Sequence, residues 1–238
     1  MTTGTFPAPA PAPPVSAPVP PVPAVGFLRG PFAAATYREI GYTLTSLPVA
    51  VAGFAFAVTM FTLGTGLVVT VLGLPVLAAT LVAARGLGAA ERGRARHGLG
   101  LDVAGPEPVA GDGRAGFWAA TARRLKDAAG WKALLFQVLM LPWRMLSFVL
   151  TVTFLTVGWA VALLPAYNWV FARYVDGWTG YRIYDYTSGG IRHVYDLTTP
   201  TQLAAVSLVG LLLVFLTPKL VHALTQVDRA AVRGLLGR

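Results

Sequence analysis

Three long uncharged runs divide this chain. Residues 40 to 84 hold no Asp, Glu, Lys or Arg across 45 positions, and residues 145 to 172 and 197 to 218 are uncharged as well. A helix needs about 20 apolar residues to cross roughly 30 Å of hydrocarbon. The first run therefore predicts two membrane spans and the other two predict one each. Gly64-Thr65-Gly66 is the expected reversal between spans one and two, and Pro75 is expected to bend the second. Span three is expected from about Met145 to Pro165 and span four from about Leu203 to Val221. Gly53 and Ala57, four apart, give the first span a small-residue face for close helix packing.

The polar positions fill the gaps between these runs. Phe32 to Leu47 reads as helix with Tyr37, Arg38, Glu39 and Tyr42 at headgroup depth, and Pro48 is expected to act as a hinge where the chain enters the bilayer. A short basic helix follows Arg85 to about His97, and a Gly/Pro-rich linker follows that. Phe117, Trp118, Thr121, Leu125 and Ala128 share one helical face opposite Arg123, Arg124 and Lys126, the pattern of a helix lying in the interface. The first 25 residues hold nine prolines and no charge. They predict an extended tail and lack the basic start of a secretory signal.

Composition narrows the class. Of all residues 55% are hydrophobic and 12% charged, against about a quarter charged in soluble domains, so the chain reads as a membrane protein. The net charge of +9 does not point to nucleic acid, because 16 of the 19 Lys and Arg lie near the N-terminus, between 85 and 144, or after Pro218. This bias predicts cytoplasmic termini, a cytoplasmic linker, an outward loop 166–200 and multi-pass insertion in the cell membrane. The basic rim suits anionic lipid headgroups. Cysteine is absent, which excludes disulfides and thiolate chemistry.

The chain also contains a faint copy of itself. Residues 37 to 66 align with 131 to 160 at a constant offset of 94, with identity at Leu47, Pro48, Phe54, Val58, Thr59, Thr62 and Gly64. Leu87, Glu91-Arg92, Arg96, Leu99 and Gly100 recur as Leu224, Asp228-Arg229, Arg233, Leu236 and Gly237. Matched Pro and Gly positions carry backbone consequences, so the alignment implies one hairpin unit used twice. The expected division is a 1–25 tail, a first repeat over 26–100, a 101–116 linker and a second repeat over 117–238. Two spans per repeat mean that both copies enter from the same side, which predicts rotation about the membrane normal.

Candidate chemistry is sparse. Trp169, Tyr174, Trp178, Tyr181, Arg182, Tyr184, Tyr186, Arg192, His193 and Tyr195 crowd the outer loop, where alternation around Ser188-Gly189-Gly190 predicts a β-hairpin. They are candidate ligand-binding residues, and the same aromatics would also suit a hairpin resting on the bilayer. No ionisable residue lies in the core of a span, which argues against an ion or proton pathway. Arg144 is expected to snorkel from the inner boundary to lipid phosphate. His97, His193 and His222 are scattered and no catalytic motif is present. The expectation is therefore no enzymatic activity, no cofactor and no metal. Glu91, Arg92, Arg96, Asp228, Arg229 and Arg233 are expected to form signal-output helices. Either they pair within each helix or the two helices dock by crossed salt bridges. Pro48 and Pro142 are the expected hinges.

These residues resemble a known family, the sensor domain found before many actinobacterial two-component histidine kinases. The resemblance rests on Arg29-Gly30-Pro31-Phe32, Tyr37-Arg38-Glu39, Leu47-Pro48, Gly73-Leu74-Pro75, Ala83-Ala84-Arg85-Gly86, Trp131-Lys132, Leu141-Pro142, Ser147-Phe148, Asp228-Arg229-Ala230 and Arg233 to Gly237. It implies a four-span input module that passes a conformational change to a kinase. Because the sequence stops at Arg238, the expectation is a separate kinase or other cytoplasmic signalling partner, with a homodimer left open. The fold class expected is an all-α membrane protein of two tandem hairpins with interfacial helices and a small outer β-hairpin. The alternatives are a structural or scaffolding membrane protein and, further off, a small permease subunit.

Overall fold

The computed structural model describes residues 33–109, 116–178 and 180–237. The proline-rich tail, and Arg29 to Phe32 within the resemblance, lie outside the described residues.

Helix α1 (Ala34–Gly66) continues through Pro48 without a break. A 3-10 turn over Leu67–Val69 then reverses the chain into α2 (Gly73–Leu99). The reversal therefore falls just beyond Gly64-Thr65-Gly66. Gly66 itself is right-handed helical (φ −63°), so the two glycines extend α1 and the turn forms where apolar residues meet at 67–72. A short α3 (Phe117–Leu125) leads into α4 (Ala128–Ala162), which starts on an Asp127 cap that accepts from the amides of Ala129 and Gly130 and continues through Pro142. Next come α5 (Leu164–Tyr174), strands β1 (Tyr181–Ser188) and β2 (Ile191–Leu197), and α6 (Pro200–Ala231), which ends in a π-turn over Val232–Leu236. Among the described residues, four helices are long and apolar enough to cross a membrane. Their exposed surfaces carry Val51, Val58, Phe61, Leu139, Leu146, Val149, Leu208, Leu212 and Leu216, as expected of helices solvated by lipid.

The fold is thus mostly helical with one two-stranded antiparallel sheet. The sheet turns at Gly189 (φ 59°) and Gly190 (φ 80°), and Ser188 pairs with Ile191. Two successive positive φ angles are what a tight hairpin needs and what glycine tolerates.

The long helices pack as antiparallel neighbours. In the first hairpin Gly64 abuts Leu77 and Gly98 abuts Tyr42; in the second, Gly210 packs against the backbone of Val161 and Ala162. Between the hairpins, the rings of Phe61 and Trp131 meet at 6.2 Å, and Tyr37 lines a crevice with Leu155 and Trp159. Early α1 therefore lies beside late α4, and late α1 beside early α4. Two upright entries from one side would make α1 and α4 parallel, and the structure makes them antiparallel. The cause lies in length. The entry segments and the spans are single helices of 33 and 35 residues, about 50 Å at 1.5 Å per residue, and each amino-terminal half packs on the other hairpin.

Burial follows a common pattern. All nine buried residues of α1 (Thr36, Ile40, Tyr42, Thr43, Ser46, Ala50, Gly53, Ala57, Gly64) have a buried residue 94 positions on in α4. Seven of the nine buried in α2 have a buried residue 137 positions on, among them Gly73 with Gly210, Thr80 with Thr217 and Glu91 with Asp228.

Candidate functional site

Where the four long helices converge, charge is buried. Arg144 of α4 is 1% exposed, Glu91 of α2 1% and Asp228 of α6 4%. The Arg144 guanidinium donates from Nη1 and Nη2 to the two Glu91 oxygens, both at 2.9 Å. This two-pronged geometry is what a planar guanidinium and a carboxylate favour. Its Nε faces Asp228 Oδ1 at 3.7 Å, and neither atom has a hydrogen-bond partner. The other Asp228 oxygen accepts from the Trp143 indole at 3.4 Å. Arg144 thus holds Glu91 fully and Asp228 only by attraction.

A second arginine completes the cluster. Arg94 donates to both Glu91 oxygens at 3.1 and 3.2 Å, reaches Thr45 Oγ1 at 3.0 Å and Ser46 Oγ at 3.3 Å, and stacks over the Tyr42 ring. Arg144 lies in the same way over Phe136. Two carboxylates and two guanidiniums balance, which makes the burial tolerable. Helix spacing places them: Leu87, Glu91 and Arg94 fall on one face of α2, and Arg144, Ser147 and Thr151 on one buried face of α4.

Arg144 was expected at lipid phosphate and instead sits in the protein core. Snorkelling needs an exposed route, and α2 and α6 close it with carboxylates. The sequence signal was partial, since Arg144 follows Pro142 by two residues and Glu91 recurs as Asp228, but nothing in it showed that α2 and α6 would reach the same arginine.

The expected output residues partly converge. Arg92 donates to the Leu236 carbonyl at 3.2 Å, and Arg229 donates to the Leu99 carbonyl at 3.4 Å and to Glu39 at 3.0 Å. The ends of α2 and α6 therefore cross-bond, each arginine capping the final turn of the other helix. His222 also contacts Glu39, at 3.2 Å. Arg96 is not part of this join: it pairs with exposed Asp102. Arg233 is exposed. Pro48 and Pro142 stand mid-helix in α1 and α4.

The outer hairpin separates its expected ligand residues onto two faces. Tyr184, Tyr186, His193 and Tyr195 stack along one face. Arg182, Asp185, Arg192 and Asp196 form ion pairs on the other. The hydrogen bond from Arg192 holds the Asp185 carboxyl below its ordinary range, and the one that Arg182 donates to Asp196 raises Arg182. Trp178 and Tyr181 belong to a separate aromatic cluster with Phe171 and Tyr167, while Trp169 and Tyr174 are exposed on α5. The ten residues thus divide among the two hairpin faces, the aromatic cluster and α5. Among the described residues, no group of three His, Asp or Glu is placed to hold a metal ion.

Long lipid-facing helices tied together by buried charge define a polytopic membrane protein. A family model described as "Putative sensor" matches residues 42–236, and the chain belongs to that family. No curated protein and no solved structure matches it.

Proposed function

We propose that this protein is a non-enzymatic, multi-pass sensor module of the cell membrane that relays an envelope or membrane condition to a separate cytoplasmic partner. The observation that carries this reading is the Arg144 cluster. One cation sits between two carboxylates that occupy matching places in the two hairpins, bonded fully to Glu91 and loosely to Asp228. A small displacement of one hairpin relative to the other changes the looser contact first. The ends of α2 and α6 move with it because Arg92 and Arg229 bond across them. Pro48 and Pro142, where α1 and α4 lack one internal hydrogen bond each, are the points about which the halves turn.

The reading takes the two hairpins as a duplicated unit, supported by the shared burial at offsets of 94 and 137. It takes the basic ends as cytoplasmic, supported by the distribution of Lys and Arg. The partner is then a histidine kinase or another cytoplasmic signalling protein that meets the exit helices over 85–97 and 219–236.

Photo-crosslinking amino acids at Arg96 and Arg233, used in cells, test the relay. Crosslinks to a kinase or response regulator are the expected result. Crosslinks only to envelope or division components would replace the relay by a scaffolding role.

A further inference from the structure

An open groove of about 600 Å³ lies between α1 and α2, lined by Pro48, Val49, Gly53, Phe56, Gly86 and Leu87. That volume is in the range of small-molecule sites, and apart from backbone the lining is wholly apolar.

The second hairpin provides an internal comparison. At the positions 94 and 137 residues on, Val49 becomes Trp143, Ala52 becomes Leu146 and Ala83 becomes Leu220. Trp143 packs against the buried core and reaches Asp228 with its indole. One hairpin therefore carries a large side chain where the other leaves a slot.

The slot has a polar end. Thr45 lies one turn before Pro48 and Val49 on the same face of α1, and Arg94 lies two turns after Leu87 on the same face of α2. They meet through a solvent-exposed hydrogen bond from Arg94 Nη2 to Thr45 Oγ1 at 3.0 Å. The Arg94 side chain is 23% exposed, so its guanidinium presents an open edge to a phosphate while it stays bonded to Glu91. An apolar trough about two turns of α1 long, ending at a cation and a hydroxyl on a helix pair with exposed apolar surface, has the shape of an amphiphile.

We propose that this groove binds an acyl chain of an anionic membrane lipid, with the chain along Val49, Ala52, Phe56 and Ala83 and the headgroup phosphate at Arg94 and Thr45. The site stands on the groove and on its filled counterpart, and does not depend on the relay proposed above.

The test uses the full chain in liposomes with diazirine-bearing phosphatidylglycerol or phosphatidylcholine, followed by light and peptide mapping. The expected result is label in residues 48–56 and 83–87 well above that on the lipid-exposed α4 surface at Met145, Leu146 and Val149, sparse label at Trp143, and about fivefold stronger labelling of the groove from the anionic probe, the effect of one arginine near a membrane surface. Val49→Trp, which copies the second hairpin, should abolish the label with the melting temperature in detergent unchanged. If that variant does not fold, Ala52→Leu serves the same purpose. Arg94→Gln should remove the anionic preference and leave the chain labelling. Groove labelling no stronger than that of the lipid-exposed surface of α4, or labelling that survives the filled groove, would overturn the site. Equal labelling by the two probes would overturn the headgroup assignment.

Discussion

Arg144 and Glu91, on different helices and in different hairpins, are joined by two hydrogen bonds of 2.9 Å with both side chains 1% exposed. Loss of Arg144 leaves two buried carboxylates, Glu91 and Asp228, against Arg94 alone, and breaking a buried pair in this way costs about 3–5 kcal/mol. Arg144→Gln is therefore expected to lower stability by that amount in reversible unfolding from mixed micelles. Glu91→Gln combined with Arg144→Gln should cost clearly less than the sum of the two single changes. Additive losses would mean that the pair contributes no coupling.

Close helix contact makes a second expectation. A Cβ on Gly210 would fall on the backbone of Val161 and Ala162, whereas one on Gly66 meets nothing within 4 Å. Gly210→Ala should destabilise the second hairpin by about 1–3 kcal/mol. Gly66→Ala, at a helical φ of −63°, should stabilise slightly, by about 0.5–1 kcal/mol. Thermal unfolding of the two variants side by side checks both signs.

The outer hairpin should be acid-sensitive through Asp185. Its carboxyl lies below the ordinary range because of the hydrogen bond from Arg192. A lowered folded value means that the ion pair contributes fully above the ordinary carboxylate range and is lost as pH falls through the lowered value. Hydrogen exchange of the β1–β2 amides should stay slow at neutral pH and accelerate only in strong acid. Asp185→Asn should remove that dependence.

The turn of the first hairpin should lie at lipid depth. Val69 is 95% exposed, Val71 65% and Leu72 67%, and Thr70 bonds its hydroxyl back to the Leu67 carbonyl at 2.8 Å. Between Gly73 and Arg85, α2 rises only about 18 Å, short of the roughly 30 Å of hydrocarbon. The chain has no native cysteine, so Val69→Cys gives a clean probe. It is expected to resist membrane-impermeant thiol reagents, while Thr187→Cys in the outer hairpin reacts quickly.

Much of this architecture was legible in the residues. The uncharged runs located the four long helices, and the Ser188-Gly189-Gly190 turn fixed the β-hairpin, because hydropathy and positive φ are local properties. The antiparallel packing of α1 against α4 was not legible. It depends on Pro48 and Pro142 leaving their helices continuous, which lets each entry segment dock on the opposite hairpin, and Leu-Pro alone does not decide between a break and a continuous helix. The recurrence of Glu91 and Asp228 pointed to a shared structural role. Their meeting at Arg144 was hidden, because a lone arginine beside a span reads as a surface residue until the two carboxylates are placed in space.

The account depends on the Arg144 cluster coupling the two hairpins to the ends of α2 and α6. Spin labels at Arg96→Cys and Arg233→Cys, both exposed, report the distance between those ends by pulsed electron resonance in nanodiscs. The account predicts that the distance distribution shifts with bilayer composition in the native background, and that Arg144→Gln broadens it and removes the shift. A single distance, unchanged by lipid and by loss of Arg144, would contradict it.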